Sequence, residues 1–515
     1  MISRPPFFSR ISLYLAGLYS IVLLLAGVLF VNFTVDDAFI TFRYGKNLYQ
    51  NGLWAWNQSD AFQPVEAYTN PLFAFLSIPV HFLQVPVMVA YKALGLVTLL
   101  ATFIATTSGL NQRSKIISIA FTCTNFYIFP HAFSGLETLL FLLLIFIVLE
   151  ASPTRLASGF FSLLIFIAPL IRPEGALASA YILYQQHRNK SLNRWSYLAI
   201  ALGLVYFYWR YAFFEKMLPN TFYVKMHSGS LAENIKTEQF IILLGISSIA
   251  ALRLTRAPIF FPLLLLLGYV GVNLTSDMQM NYCHRFGYHL VIPIAFHALK
   301  KALQHIDLTA PTGKTPTRPI AIRLVIAILF VFAAKTISFR STLQILDYYP
   351  SAIASHKRLG QALSGTKLGD TIMAVGDAGL IPYYSGLPTI DFIGLASSEI
   401  GTWLSRGIEP KLPRPDIVII YSKSPTSCEF KTGKYPGLDL IARQHLNHSR
   451  YTCHTGPNWA GEYYLNALIS TESPKYSDLQ EVFINFSKEP ATTKNGKQIF
   501  HDATRFLGLR ADLAG

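Results

Sequence analysis

Residues 11–33 read ISLYLAGLYSIVLLLAGVLFVNF, an apolar stretch of 23 residues without a charged side chain. A helix needs about 20 consecutive apolar residues to cross the core of a bilayer. Arg4 and Arg10 precede the stretch, and no small-x-small cleavage site follows its apolar part. We therefore predict a retained signal anchor with a cytoplasmic N-terminus.

The composition of the whole chain agrees with a membrane protein. Of its 515 residues, 52% are hydrophobic and only 14% are charged, and the formal net charge is +15. A soluble globular domain usually has about 25% charged residues. The four cysteines show no C-x-x-C or zinc-ligand spacing, which argues against a disulfide scaffold and against redox chemistry.

Ten more apolar stretches follow, so the sequence predicts eleven membrane crossings. The ten stretches are 87–110, 116–133, 136–149, 156–171, 175–186, 196–214, 237–251, 258–274, 287–303 and 320–338. Alternation from a cytoplasmic start places fifteen basic and two acidic residues on the inner side. This surplus follows the positive-inside rule, so nucleic-acid binding is not needed to explain the net charge.

From residue 339 onward, the fraction of charged residues rises to a level that is ordinary for a soluble domain. Strand-like runs occur at 370–376, 416–421 and 482–486. We predict a helical membrane domain at 1–338, with a long first outer loop at 34–86, and a mixed α/β domain at 339–515. After eleven crossings the second domain would be periplasmic. It contains Cys428 and Cys453, and the sequence leaves open whether they form a disulfide.

The first outer loop begins with the adjacent acidic residues Asp36 and Asp37, and a helical pattern continues to Arg43. Two adjacent carboxylates repel each other, which favours a raised pKa or neutralisation by Arg43 or a cation. A carboxylate in this position could take a proton from a sugar hydroxyl. The alternative is that the doublet caps a short interfacial helix, because aspartate is favoured in the first helical turn.

Five other clusters on the predicted outer side combine charged, polar and aromatic residues. Their candidate site residues are Glu66, Tyr68 and Asn70; Glu137; Arg172 and Glu174; Asn220, Tyr223 and Lys225; and His284 and Arg285. Each cluster stands at the outer end of a predicted span, so they could converge on one cavity. Cations there would bind a lipid phosphate, and aromatic rings would stack on sugars.

Each cluster also has a simpler interpretation. Arg172 and Glu174 could form a local ion pair, and Glu137 could be a charge at a helix N-terminus. Tyr68 and Tyr223 could belong to the aromatic belt at the membrane interface. Only the combination of the clusters favours an active site.

Several motifs occur in a fixed order along the chain. They are DDAFITFRY (36–44), VEAYTNPL (65–72), SGLETLL (134–140), RPEG (172–175), PNTFYVK (219–225) and AVGDAGLIPYYSGLPTIDFIGL (374–395). This set resembles the bacterial GT-C membrane glycosyltransferases related to the mycobacterial terminal arabinofuranosyltransferase. The resemblance implies that a hexosyl or pentosyl group is transferred, with inversion, from a polyprenyl-phosphate donor. The acceptor would be an envelope glycan on the outer side of the inner membrane.

The resemblance also implies roles for individual residues. By matching position, Asp36 or Asp37 would be the general base. In the mechanism we expect, Asp37 activates the acceptor hydroxyl, and Asp36 orients it or helps to hold a cation. The donor phosphate would be held by Arg172, Lys225 and Arg285, with Arg43 in reserve. The substrate-binding residues would be Glu66, Tyr68, Asn70, Glu137, Glu174, Asn220, Tyr223 and His284. No cofactor is required, although a divalent cation, Mg²⁺ or Mn²⁺, could bind near the acidic doublet.

The segment before Arg285 lacks the glycine- and acid-rich pattern of these relatives, so the sugar stays open. Abundant Ile, Phe, Lys and Asn are atypical of a high-GC actinobacterium. The expected acceptor is therefore a Gram-negative surface polysaccharide, such as lipopolysaccharide or O-antigen.

Two other classes of function remain open. A multi-span transporter or flippase of envelope lipids would place ionisable residues near the bilayer midplane, often in repeated halves, and neither feature is visible. A non-catalytic membrane scaffold could instead bind glycan through the domain at 339–515. Replacement of Asp37 by asparagine separates an enzyme from a scaffold, because only the enzyme loses its base.

Overall fold

The computed structural model describes residues 7–225, 230–278, 280–309, 317–338, 341–342, 345–346, 349–430, 433, 435–447, 450–460 and 463–488. Its helices are α1 (Phe7–Phe30), α2 (Asp37–Asn51), α3 (Pro71–Phe82), α4 (Val87–Thr107), α5 (Gln112–Thr124), α6 (Ile128–Phe133), α7 (Thr138–Glu150), α8 (Pro153–Leu156), α9 (Gly159–Ile171), α10 (Gly175–Arg188), α11 (Arg194–Phe214), α12 (Asn220–Lys225), α13 (Leu231–Thr237), α14 (Gln239–Leu254), α15 (Phe260–Gly268), α16 (Arg285–Thr309), α17 (Thr317–Lys335), α18 (Tyr349–Ala362), α19 (Leu380–Ser385), α20 (Ser398–Arg406), α21 (Pro436–Ile441) and α22 (Tyr476–Lys488). Its strands are β1 (Met373–Val375), β2 (Thr389–Asp391), β3 (Ile417–Ser422), β4 (Tyr451–His454), β5 (Asn458–Ala460) and β6 (Tyr463–Ser470).

The chain divides into two compact units. The first unit comprises residues 1–33, 88–205 and 229–342, and the second comprises 34–87, 206–228 and 343–515. The second unit therefore includes the whole predicted first outer loop, 34–86, as well as the C-terminal part of the chain. The proposed domain boundary between residues 338 and 339 stays a prediction.

The apolar stretches of the sequence are helical, but the eleven crossings are not confirmed. Within the described residues, α4 and α11 are long and apolar enough to span a membrane. The pair α13 and α14, bent by 73°, would add a third span if it counts as one. Helices α7 and α9 have 13 residues each, well below the roughly 20 that a bilayer core requires.

A six-stranded mixed sheet forms the core of the second unit. The strand order is β2-β1-β3-β6-β4, with β5 also paired to β6. Strand β1 runs parallel to β2 and β3, whereas β6 is antiparallel to β3 and β4. Alternate residues of β1 face opposite sides, so Met373 and Val375 pack in one apolar cluster and Ala374 in another. Both faces of the sheet are therefore buried.

Two of the three predicted strand-like runs are confirmed. Strand β1 lies inside 370–376, and β3 covers most of 416–421. The third prediction, at 482–486, is wrong because these residues belong to α22. Its buried residues Leu479, Phe483 and Phe486 follow the spacing of a helix face, which a five-residue window does not reveal. Cys428 and Cys453 form a disulfide in this unit, with their Cα atoms 5.7 Å apart.

Candidate active site

The acidic doublet lies at the start of α2 in the second unit. Asp37 is the first residue of the helix, and Asp36 precedes it without capping it. The Asp36 carboxylate instead accepts backbone hydrogen bonds from Gly379 (2.8 Å) and Leu380 (2.7 Å), one on each oxygen. The turn after β1 therefore fixes this carboxylate from more than 340 residues away in the sequence.

Gly379 allows this turn to approach the doublet closely. A Cβ atom at residue 379 would lie 2.0 Å from the main-chain oxygen of Asp36 and 2.5 Å from its Oδ2. Real Cβ contacts are never this short, so any side chain at this position would displace the carboxylate or the turn. Glycine is thus required by space, although its backbone angles are not in the left-handed region.

The buried His356 of α18 pairs with Asp377, a third carboxylate, which lies in the turn after β1. The Nε2 atom of His356, on α18, is 3.0 Å from Oδ2 of Asp377. The His356 side chain is 1% exposed and stacks on the ring of Tyr421, whereas the Asp377 side chain is 37% exposed. The Asp377 carboxylate is therefore the solvent-facing member of the pair, and the His356 imidazole is the buried member.

The charges of this region act on Asp36 in opposite directions. Burial raises the pKa of Asp36 to about 7, and Asp377 and Asp37 add to the rise. His356 and the hydrogen bond from Leu380 lower the pKa of Asp36. Burial would also lower the pKa of His356, but its hydrogen bond to Asp377 and the nearby carboxylates raise it overall. Asp36 can therefore exchange a proton near neutral pH.

These residues stand at the carboxyl ends of the parallel strands. Asp377 follows β1 by two residues, and Asp391 is the last residue of β2. The buried Asp391 carboxylate accepts backbone hydrogen bonds from Ile393 (2.9 Å) and Ala396 (2.7 Å), so it shapes the loop after β2. The carboxyl ends of parallel strands are where open α/β sheets generally bind ligands.

Arg43 lies on α2 beyond the doublet, and it is buried with no carboxylate partner among the described residues. Its Nη2 donates to the main-chain oxygen of Leu387 at 2.8 Å, and its guanidinium lies 4.5 Å from the Trp56 ring centre. Its Nε and Nη1 have no hydrogen-bond partner among the described residues. Burial lowers the pKa of Arg43 to about 9, and that of the nearby Lys46 to about 8. Unpartnered buried donors on a cation favour an anion as ligand.

Glu66 and Asn70 have side-chain partners elsewhere in the second unit. Glu66 forms a buried ion pair with Arg210, with an Nη2–Oε2 distance of 2.5 Å. Tyr68 is 2% exposed within an apolar cluster, and the buried Asn70 accepts a hydrogen bond from Thr41 at 3.0 Å. In the described structure Glu66 and Asn70 therefore connect the loop before α3 to Arg210 of α11 and Thr41 of α2.

Asn220 fastens a loop of the same unit. Its Nδ2 donates to main-chain oxygens within residues 394–397, and its Oδ1 accepts from Lys216 at 2.7 Å. Tyr223 and Lys225 lie on the same short helix and are both partly exposed. The Nζ atom of Lys216 lies 6.0 Å from the Tyr223 ring centre, so a second cation lies close to α12.

In the first unit the structure brings Glu137, Arg172 and Glu174 together. The Arg172 guanidinium is 2.5 Å from Glu137 and 3.2 Å from Glu174, and both Arg172 and Glu137 are almost fully buried. Burial would raise the pKa of Glu174, but Arg172 and His289 outweigh it and hold that pKa well below its usual range. Two carboxylates therefore neutralise Arg172.

His284 and Arg285 also lie in the first unit. Both ring nitrogens of His284 are engaged, with Glu238 at 2.9 Å and the main-chain oxygen of Thr336 at 2.8 Å. Burial would lower the pKa of His284, but Glu238 raises it overall. Arg285 is 6% exposed, and its guanidinium lies 5.8 Å from the ring centre of Tyr282.

A metal site is not apparent in the part of the chain that the structure describes. No group of three or more His, Cys, Asp or Glu side chains is placed there to hold an ion. Both oxygens of Asp36 already accept backbone hydrogen bonds. A divalent cation at the doublet therefore stays a prediction.

Comparisons with known proteins give one match to a family model and one to a solved structure. A domain of unknown function, DUF8728, matches residues 337–479. No curated protein sequence matches the chain. The fold is similar to the crystal structure of ArnT from Cupriavidus metallidurans bound to undecaprenyl phosphate, with a TM-score of 0.52 and 12% identity. The match covers 89% of this chain and 98% of that one.

The similarity confirms the expectation of a mainly helical fold and shows that this fold resembles that of ArnT. At 12% identity it speaks for the fold alone, so activity and substrates do not follow from it. A specific relation to the mycobacterial arabinofuranosyltransferase is not shown. The predicted site residues are likewise not tested by these matches.

Asp377, His356 and Arg210 are among the residues of these clusters that the sequence analysis missed. Asp377 lies inside the quoted motif 374–395 but carried no assigned role. His356 gives no local signal, because only the fold places it beside the turn after β1. Arg210 had a detectable signal, since an arginine inside a predicted apolar span usually has a specific partner or function.

Proposed function

We propose that this protein is an inverting glycosyltransferase that uses a polyprenyl-phosphate-linked sugar. The acceptor is an envelope glycan, such as lipopolysaccharide or O-antigen, on the outer side of the inner membrane. The observation that carries the proposal is the Asp36 carboxylate, held rigidly by two backbone donors with a pKa of about 7. The GT-C-like fold supports it, because the similar ArnT structure binds undecaprenyl phosphate.

The proposed reaction is a single displacement. A carboxylate of the doublet takes the proton of the acceptor hydroxyl, and the acceptor oxygen forms a bond to the anomeric carbon. The bond between that carbon and the phosphate oxygen breaks, and polyprenyl phosphate leaves. The anomeric configuration is inverted because the oxygen attacks from the opposite face. A base with a pKa near the working pH is well suited to this proton transfer.

Cations are needed where negative charge grows on the departing phosphate. Arg43 is the strongest proposed ligand, since two of its guanidinium nitrogens lack a partner among the described residues. Arg172, Lys225 and Arg285 also stay proposed donor-phosphate residues. Arg172 is the weaker choice because two carboxylates already neutralise it.

The remaining assignments belong to the same proposal. The substrate-binding role extends to Glu66, Tyr68, Asn70, Glu137, Glu174, Asn220, Tyr223 and His284. The protein would be a multi-pass inner-membrane protein with a cytoplasmic N-terminus and a periplasmic C-terminal domain. A divalent cation at the doublet is retained as a test condition, through addition of EDTA or Mg²⁺.

The test compares the deletion strain complemented with wild type, Asp36→Asn, Asp37→Asn or the exposed control Asp60→Asn. Mass analysis of surface glycans and of lipid-phosphate sugars measures the product and the unused donor. We expect loss of the base to reduce transfer by about 100-fold or more, with the donor accumulating, while Asp60→Asn behaves as wild type. Normal glycan in both doublet variants at equal membrane levels would instead favour a transporter or a scaffold.

A further inference from the structure

A cavity of about 270 Å³ lies in the first unit, and none of its lining residues belongs to the clusters discussed above. It is formed where the end of α7 and the start of α9 meet α4 and α16. Its lining combines the cations Arg155 and Lys300 with Glu150, Ser108 and several phenylalanines. The volume corresponds to about nine water molecules, so the cavity can hold a small polar group.

Positive charge exceeds negative charge around this cavity. Glu150 accepts a hydrogen bond from His297 at 2.5 Å and lies 3.4 Å from the Nζ atoms of both Lys300 and Lys301. Arg155 has no carboxylate within 4.0 Å among the described residues. Lys300 and Lys301 thus share one carboxylate, and among the described residues the three cations exceed that carboxylate by two positive charges. Such a site attracts an anion.

The two lining cations offer different kinds of interaction. Lys300 already donates to the main-chain oxygen of Ala105 and to Ser108 Oγ, both at 3.0 Å, so it is fixed and contributes mainly charge. Arg155 is an exposed lining residue, so a ligand can reach its guanidinium donors. A guanidinium can hold a phosphate through two parallel hydrogen bonds.

The apolar part of the lining points to a lipid rather than a free ion. Phe160 lies beside the cavity with 59% of its surface exposed, and Phe146 and Phe161 are buried around it. An exposed apolar ring beside cations suits a ligand that carries both a lipid chain and an anionic headgroup. The predicted topology places this end of the helices on the cytoplasmic side, where basic pockets between helices bind anionic headgroups.

We propose that this cavity binds the phosphate of an anionic phospholipid. Arg155 donates hydrogen bonds to the phosphate, and Lys300 and Lys301 attract it by their positive charge. The phenylalanines contact the first part of the acyl chains. The site would tie the ends of α7, α9 and α16 to the bilayer surface. This inference is independent of the proposed transferase activity.

The experiment titrates the purified full chain, in neutral detergent, with short-chain phosphatidylglycerol and counts bound lipid by native mass spectrometry. We expect Arg155→Gln to weaken phosphatidylglycerol binding about fivefold, the effect of one basic side chain near an anionic surface. Arg113→Gln removes another exposed arginine of the first unit and serves as the matched control. It should bind as wild type does.

A variant of opposite sign sharpens the test. Glu150→Gln keeps the size of the side chain but removes the negative charge, so it should tighten phosphatidylglycerol binding by a similar factor. If this variant fails to fold, the comparison of Arg155→Gln with Arg113→Gln still decides. Equal binding in those two variants, or equal binding of phosphatidylcholine by wild type, overturns the proposal. Competition by millimolar inorganic phosphate as effective as that by lipid overturns the lipid assignment.

Discussion

Asp36 and Arg43 both come from one motif, yet the structure treats them differently. Asp36 accepts two backbone hydrogen bonds and lies near two other carboxylates and a buried histidine. Arg43 keeps two guanidinium nitrogens without partners among the described residues. A carboxylate with a raised pKa and an under-satisfied buried cation are both costly for stability, and such features concentrate at functional sites.

At this scale we predict how His356 sets the pH dependence of transfer. Asp36 must be ionised to act as a base, so the rate should fall as the pH drops below about 7. The charged groups that act on Asp36 are Asp37, Asp377 and His356. His356→Gln removes the positive one, which raises the pKa of Asp36 and moves the acid limb to higher pH. A rise of about one pKa unit would lower the rate at pH 6 by about tenfold.

The measurement is kcat/KM for sugar transfer between pH 5 and pH 9, with the exposed His187→Gln as control. At pH 8.5 the His356→Gln variant should approach the wild-type rate. A loss of the same size at every pH would mean that His356 serves only packing. No loss at any pH would show that it does not influence the base.

At the scale of elements, the turn between β1 and α19 connects the sheet with the start of α2. Strand β1 is paired on both sides, so the position of the turn is fixed by the centre of the sheet. The backbone donors of the turn then fix Asp36. A site that is held by a rigid element keeps its geometry better than a site on a free loop.

Gly379→Ala tests this link between elements. The added Cβ would lie 2.0 Å from the main-chain oxygen of Asp36, so the turn and the doublet must separate. We expect the transfer rate to fall by about 100-fold, because a small misplacement of a catalytic group has an effect of this size. Gly365→Ala is the matched control, since a Cβ there meets nothing within 4 Å.

Both glycine variants should be compared by transfer rate and by thermal unfolding in detergent. The prediction requires the rate of Gly379→Ala to fall while the protein stays folded. A wild-type rate in a folded Gly379→Ala variant would show that the hydrogen bonds to Asp36 are dispensable. A variant that unfolds calls for Gly379→Ser at lower temperature, where any remaining folded protein should still be inactive.

At the scale of the whole molecule, two compact units divide the proposed chemistry. The doublet, Arg43 and the sheet belong to the second unit, whereas Arg172, Glu174, His284 and Arg285 belong to the first. The match to DUF8728 covers all six strands of the sheet, and the similarity to ArnT covers most of the chain. The convergence of the outer clusters on one cavity stays a prediction.

The membrane topology is a prediction for the whole chain. Reporter fusions after Lys190 should be cytoplasmic, and fusions after Gln361 should be periplasmic, because the positive-inside rule orients the helices. Alkaline phosphatase and a cytoplasmically fluorescent reporter give opposite signals for the two locations. A periplasmic Lys190 or a cytoplasmic Gln361 would reverse the orientation and remove the proposed acceptor side.

The sequence by itself predicted a membrane protein, and it determined the helical stretches and the cores of β1 and β3. These features follow from the spacing of apolar residues within short stretches, and this spacing is visible in the sequence without the fold. It also singled out Asp36 and Asp37, because adjacent carboxylates after an apolar stretch are unusual. It did not reveal α22, because the five residues 482–486 are too few to show the spacing of a helix face.

Only the tertiary structure brought His356 and Asp377 to the doublet and paired Glu66 with Arg210. These partners are separated by up to several hundred residues, and no local pattern records such a separation. Their pKa values depend on burial and on charges from distant parts of the chain, so they arise only in the folded protein. The same holds for the disulfide between Cys428 and Cys453, which required the two Cα atoms to come within 5.7 Å.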